Sequence, residues 1–189
     1  MDALVIQGGR PLSGRVAVSG AKNAALPVMA ATLLAPGQHV LRNVPSLADT
    51  RTMARVLEKL GARVEFTDHT CRINTTDVDS VEAPYDLVRT MRASVYVLGP
   101  LLARLGAARV SLPGGCAWGP RPVNLHIEGL EAMGARLDID HGYIVGKDVK
   151  LKGAEIHHET VSVGATAQIM MAATLADGTT VIEGAAIEP

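Results

Sequence analysis

A lone cysteine inside a run of glycines and prolines, LPGGCAWGPRPVNLH from Leu112 to His126, is the stretch of this chain best fitted to chemistry. Pro113, Gly114, Gly115, Gly119, Pro120 and Pro122 exclude helix or strand, so the spacing predicts an irregular loop. Loops on rigid scaffolds are where binding and catalytic groups gather. Arg121 follows Cys116 by five residues, and a thiol close to that fixed positive charge ionises more readily than a buried one. Residue types alone leave two readings open, a reactive thiol or a small apolar residue filling a turn. The other cysteine, Cys71, falls in the alternating stretch His69 to Ile73 and reads as an inert strand residue.

Lys22 and Arg92 are two further cations in unusual settings. Lys22 and Asn23 open an apolar helical pattern, where backbone N–H groups and the helix dipole favour an anion. A solvated lysine beside an asparagine cap is the plainer reading. Arg92 sits between Met91 and Ala93 on an otherwise apolar helix, and a charge there needs a partner. That partner is an anionic ligand or a carboxylate such as Asp86. His126 reads as a satisfied structural histidine. His157 and His158 read as a surface turn, since a lone His-His pair has no further metal ligands at useful spacing.

The elements that must position these residues come as a repeat. Ser19-Gly20-Ala21, Met91-Arg92-Ala93 and Val163-Gly164-Ala165 open three similar segments, with Gly20, Arg92 and Gly164 spaced 72 apart. Each leads into a small-residue helix pattern (AALPVMAATLLA, SVYVLGPLLARL, TAQIMMAATLA) and then a β-like run (HVLRNV, ARVSLP, TTVIEG). VLEKLGARVEF (56–66) and GLEAMGARLDI (129–139) then read as helix ends with glycine caps feeding strands, followed by hairpins at Thr67–His69 and Asp140–Gly142. The unit is strand, helix, strand, helix, strand, strand. The third copy stops after its first helix and strand, which leads us to expect a chain continuing past Pro189, or else a partner covering the open face.

Composition bounds the function. The 189 residues suffice for one domain with a real core or for two small ones. With only Trp118, Phe66, Tyr85, Tyr96 and Tyr143 aromatic, the core must be built from Ala, Val, Leu, Ile and Met. A net charge of −1 without a basic block argues against nucleic acid. MDALVIQGGR lacks the features of a signal peptide, and Val95 to Ala103, the longest apolar run, is too short to span a bilayer. The expected setting is the cytoplasm, with both cysteines as thiols.

SGAKNAALP (19–27), APYDLVRTMRAS (83–94), SLPGGCAWGPRPVNLHIEGL (111–130) and VSVGATAQIMMAATLADGTT (161–180) together resemble the UDP-N-acetylglucosamine enolpyruvyl transferases, also called UDP-N-acetylglucosamine 1-carboxyvinyltransferases. The resemblance runs from Val5 to Pro189 and matches the N-terminal half of the longer family members. It implies an α/β fold, an inside-out α/β barrel of repeated βαβαββ units, here two units and part of a third. Residues 1–21 would supply a first strand to a second domain, and 22–189 the UDP-sugar-side domain. The implied reaction moves the enolpyruvyl group of phosphoenolpyruvate onto the 3-hydroxyl of UDP-N-acetylglucosamine and releases phosphate, without metal or cofactor. It opens peptidoglycan precursor synthesis, and with it cell-wall biogenesis, cell shape and division.

The resemblance also implies roles. Cys116 would be the proton donor to the enolpyruvyl methylene and the target of fosfomycin. Lys22 and Asn23 would contact phosphoenolpyruvate. Arg92, the strip Arg121, Pro122, Val123, Asn124 and Leu125, and the strip Thr160, Val161, Ser162 and Val163 would hold UDP-N-acetylglucosamine. Asn124 stands where an aspartate is frequent and keeps an acceptor without the charge, and Thr160 stands where a lysine is frequent and removes that cation. The family's aspartate base and second phosphate cluster match nothing in these residues, so the 189-residue chain is expected to be inactive alone. Two rivals stand beside this reading: a shikimate 3-phosphate enolpyruvyl transferase, which has no nucleotide to bind, and a non-catalytic nucleotide-sugar-binding half-protein.

Overall fold

A computed structural model of the chain describes residues 3–89, 91–113 and 123–188, with the Arg92 side chain left out. The loop predicted around Cys116, including Arg121 and Pro122, lies outside the described residues. The remaining elements follow the repeat. The first unit runs α1 (Lys22–Ala31), a 3-10 turn (Thr32–Leu34), β1 (Gln38–Leu41), α2 (Ala48–Lys59), β2 (Arg63–Thr67) and β3 (Thr70–Asn74). The second runs β4 (Glu82–Ala83), a short α3 (Tyr85–Val88), a 3-10 segment (Arg92–Val97), α4 (Leu98–Leu105), β5 (Ala108–Ser111), α5 (Asn124–Ala132), β6 (Leu137–Asp140) and β7 (Tyr143–Gly146). The third holds β8 (Glu155–His157), α6 (Val163–Ala173) and β9 (Val181–Glu183).

Sheet order makes the repeat explicit. β1-β3-β2 and β5-β7-β6 have the same antiparallel arrangement, a strand followed by a hairpin whose second strand pairs back onto it. β4 lies parallel to β5 and β8 parallel to β9, each pair joined by a helical crossover. Residues 3–20 join none of these sheets and leave Leu4, Val5, Ile6, Leu12, Val16 and Val18 exposed.

The glycine-ended helices have one local cause. At α2, the Gly61 N–H bonds the Glu58 carbonyl and the Ala62 N–H reaches back to Leu57. At α5, Gly134 bonds Glu131 and Ala135 reaches Leu130. This paired closure needs a left-handed residue just past the helix, and Gly61 (φ 104°) and Gly134 (φ 93°) supply it. The hairpins turn on Asp68-His69 (φ 46° and 60°) and His141-Gly142 (φ 47° and 79°), the paired positive φ that suits the twist of two-residue hairpins.

The core is aliphatic as expected. Met29, Leu33, Met53, Leu57, Leu98, Leu101, Leu102 and Ile144 are among its buried side chains. Arg104, at the end of α4, donates to the Leu33 and Thr75 carbonyls at 3.0 Å each, so a second-unit guanidinium fastens two turns of the first unit. Cys71 is fully buried on β3, where desolvation pushes its thiol up to about 11. No helix among the described residues is long and apolar enough to cross a membrane.

Candidate functional site

Three helices of different units begin around one cavity of about 500 Å³. α1 contributes Lys22 and Asn23, its first two residues, and α6 contributes Val163 and Gly164, likewise its first two. α5 contributes His126, its third residue. The opening N–H groups of a helix lack intrahelical acceptors, and the dipole makes that end partially positive. Among the described residues α1 and α5 carry no side-chain cap, whereas Ser162 Oγ accepts the Ala165 N–H of α6 at 3.2 Å. Helix starts facing one space make it a place for an anion.

Lys22, a cation at this cavity among the described residues, is held from a fourth helix. Lys22 Nζ donates to Asp49 Oδ2 at 2.8 Å, and Asp49 sits in the first turn of α2. Both side chains are partly exposed, so the pair adds little to stability. Its consequence is positional, since it holds the ammonium at the cavity wall. The structure thus replaces the solvated lysine with an anchored one, and Ala21 rather than Asn23 occupies the cap position of α1. Pro27 inside α1 has no N–H to give the Asn23 carbonyl one turn back, which leaves that carbonyl without its usual helical donor.

Of the residues singled out from sequence, Lys22, Asn23, Ser162 and Val163 line the cavity together. Arg92 opens a 3-10 segment rather than lying within an α-helix, and its neighbours Met91 and Ala93 are at the cavity. Asp86 lies 3.8 Å from Arg89. Asn124 Nδ2 donates to Glu128 Oε1 at 3.2 Å, while Val123 and Leu125 pack against the core. Thr160 and Val161 are exposed just ahead of α6.

The histidines divide differently from the sequence reading. His126 is buried and bonded through Nδ1 to Gln168 Oε1 at 3.2 Å, as a satisfied structural histidine should be, yet it also lines the cavity. His157 and His158 do not form a surface turn. His157 ends strand β8 with its ring exposed against Glu183 Oε2 at 3.2 Å, and His158 is buried beyond it. Parallel pairing with β9, which carries Glu183 opposite His157, explains the difference. Asp49 and Tyr96 were missed because only tertiary packing brings them to the cavity, and Gln168 because only packing brings it to His126. A first-turn aspartate offered a local signal, but one shared with any helix start.

Comparison with known proteins agrees with this architecture. A UDP-N-acetylglucosamine 1-carboxyvinyltransferase of Geobacter metallireducens is 60% identical over 189 residues, all of this chain and 45% of that protein. One of the same name from Thermodesulfovibrio yellowstonii is 56% identical over the same span. The chain therefore spans about half the length of the curated relatives it matches. The enolpyruvyl transferase NikO from Streptomyces tendae superposes with a TM-score of 0.75 at 22% identity, over 93% of this chain and 41% of that one. EPSP synthase from Acinetobacter baumannii gives 0.73 at 16%, with the same coverage. At such identities these structures establish the fold, that of the enolpyruvyl transferases. A family model described as EPSP synthase (3-phosphoshikimate 1-carboxyvinyltransferase) matches residues 6–189. Since that match takes in all three repeat units and every helix that opens on the cavity, the chain belongs to the EPSP synthase family of carboxyvinyltransferases.

Proposed function

We propose that this chain forms the UDP-sugar-side part of an enzyme that transfers the enolpyruvyl group of phosphoenolpyruvate to the 3-hydroxyl of UDP-N-acetylglucosamine, releasing phosphate. The observation that carries the reading is the cavity on which α1, α5 and α6 begin, with Lys22 anchored at its wall. Both substrates are anions, and an ammonium with convergent helix starts is what such ligands require. Relatives 56–60% identical over the whole chain, named UDP-N-acetylglucosamine 1-carboxyvinyltransferases, support the same substrates.

Within this reading Lys22 and Asn23 meet phosphoenolpyruvate. Arg92, Arg121 to Leu125 and Thr160 to Val163 hold the nucleotide sugar, with Arg121 and Arg92 as forked donors to its phosphates. Thr160 and Asn124 contribute neutral hydrogen bonds where a charge is frequent in the resembled family. Cys116 gives a proton to the enolpyruvyl methylene and is the residue fosfomycin alkylates. Residues 1–21 serve a second domain, consistent with the exposure of Leu4, Val5 and Ile6. The general base for the sugar hydroxyl belongs with that domain. The setting is the cytoplasm, at the entry to peptidoglycan precursor synthesis.

The family description favours one second reading, a shikimate 3-phosphate acceptor. Isothermal titration of the chain with UDP-N-acetylglucosamine and with shikimate 3-phosphate separates them. Binding of the first alone is expected, and binding of the second alone overturns the proposal.

A further inference from the structure

His126 Nδ1 and Gln168 Oε1 lie 3.2 Å apart, with both residues buried. Gln168 stands four residues after Gly164, so the two share one face of α6. A Cβ placed on Gly164 would lie 3.0 Å from His126 Nε2 and 3.1 Å from Cε1. The imidazole therefore lies along α6, with Nδ1 at Gln168 and Nε2 toward the helix start that faces the cavity. Tyr96 flanks the ring, centroid to centroid 6.4 Å at 51°.

A carboxamide oxygen can only accept. Bonded to it, a neutral imidazole carries its proton on Nδ1 and keeps the Nε2 lone pair. Packing alone gives no reason for this arrangement. Gln168 Nε2 is buried without a hydrogen-bond partner among the described residues, a cost an apolar side chain would not incur. What the arrangement supplies is a single ring orientation that locks the first turn of α5 to the first turn of α6. Those two turns carry Asn124 and Leu125 on one side and Ser162 and Val163 on the other.

We infer that His126 is a positioning residue for the nucleotide-sugar site, its tautomer set by Gln168 and its place set by the missing Cβ of Gly164. This rests on the functional reading above and deepens it. The locked pair holds the two proposed nucleotide strips at a fixed separation before the ligand arrives, which lowers the ordering cost of binding.

The test uses the ¹⁵N-labelled 189-residue chain. Two-bond ¹H–¹⁵N correlations should find His126 protonated on Nδ1. Gln168→Leu should mix the tautomers and raise the Kd for UDP-N-acetylglucosamine about tenfold, the scale of one lost hydrogen bond. Gln168→Glu keeps the acceptor for Nδ1–H, and should keep Nδ1 protonated and restore the affinity to within about threefold. Gly164→Ala should weaken binding with Gln168 in place. An Nε2-protonated ring in the unaltered chain overturns the inference. So does a Gln168→Leu chain that binds as tightly as the parent, or a Gln168→Glu chain as weak as Gln168→Leu. If the parent chain binds no UDP-N-acetylglucosamine, the functional reading fails, and the positioning role is decided on the ligand-free chain. There Gln168→Leu must move the amide signals of Asn124–His126 and Ser162–Gly164, and Gln168→Glu must leave them in place.

Discussion

A buried thiol gives the sharpest case at the scale of single residues. Cys71 is fully buried on β3 and its thiol is pushed from about 9 up to about 11 by desolvation. Because the folded pKa lies above the unfolded one, the unfolded state loses its proton first as pH rises through 9. Stability should then fall between about pH 9 and 11 by about 2–3 kcal/mol, and Cys71→Ala should remove that slope while lowering stability at neutral pH through the cavity it leaves. Urea titrations of both chains from pH 7 to 11 check this; an unchanged slope in the variant would refute it. At neutral pH so little Cys71 is ionised that iodoacetamide should label Cys116 first, as timed mass mapping would reveal. Faster labelling of Cys71 would remove Cys116 from its proposed role. Lys22 makes the complementary case. Asp49→Asn should keep the fold, since the pair is partly exposed, but release the ammonium and weaken ligand binding by about 1 kcal/mol. Calorimetric titration with UDP-N-acetylglucosamine and phosphoenolpyruvate reads this directly. Cys71 and Lys22 were legible in the sequence because strand alternation and a helix start are local signals. Asp49 and Gln168 were not, because their partners, Lys22 and His126, lie 27 and 42 residues away.

Elements were the most legible scale, because their stop signals are short and local. LGAR and MGAR end α2 and α5 with the same bonded closure, and the hairpins fall where two positive-φ residues stand together. Expectation failed where neighbours decide conformation. Arg92 begins a 3-10 segment before α4, and His157 ends a strand that pairs with β9 while His158 is buried just beyond it. The two capping glycines offer a graded test. Both hold a left-handed φ that costs an alanine about 1–2 kcal/mol. Beyond that, a Cβ on Gly61 would lie 2.9 Å from the Asp77 carbonyl, while at Gly134 the nearest atom is 3.8 Å away. Gly134→Ala should therefore lose about 1 kcal/mol in urea unfolding, and Gly61→Ala clearly more. Equal losses would mean that strain in φ alone sets the cost.

Across the whole molecule, the repeat of strand, helix and hairpin was readable from spacing, but what joins the units was not. Backbone carbonyls carry no sequence signal, and Arg104 fastens the first unit to the second through two of them, Leu33 and Thr75. Thr75 is itself a junction, its hydroxyl donating to the Ala35 carbonyl at 2.7 Å and lying 3.1 Å from His39 Nε2. Removing the guanidinium leaves two partly buried carbonyls without that donor, and hydrogen bonds to charged groups are worth about 1.5–3 kcal/mol each. Arg104→Ala should therefore cost about 3–6 kcal/mol. Arg104→Lys should recover only part of it, since an ammonium lacks the planar fork that reaches both oxygens. The loss should not be spread evenly. Amide exchange should accelerate in β1 and β3, next to the released carbonyls, well before it does in β5 and β7, which keep their own ladder. Uniform acceleration across both sheets would mean that the units unfold as one and that Arg104 contributes only to the common core.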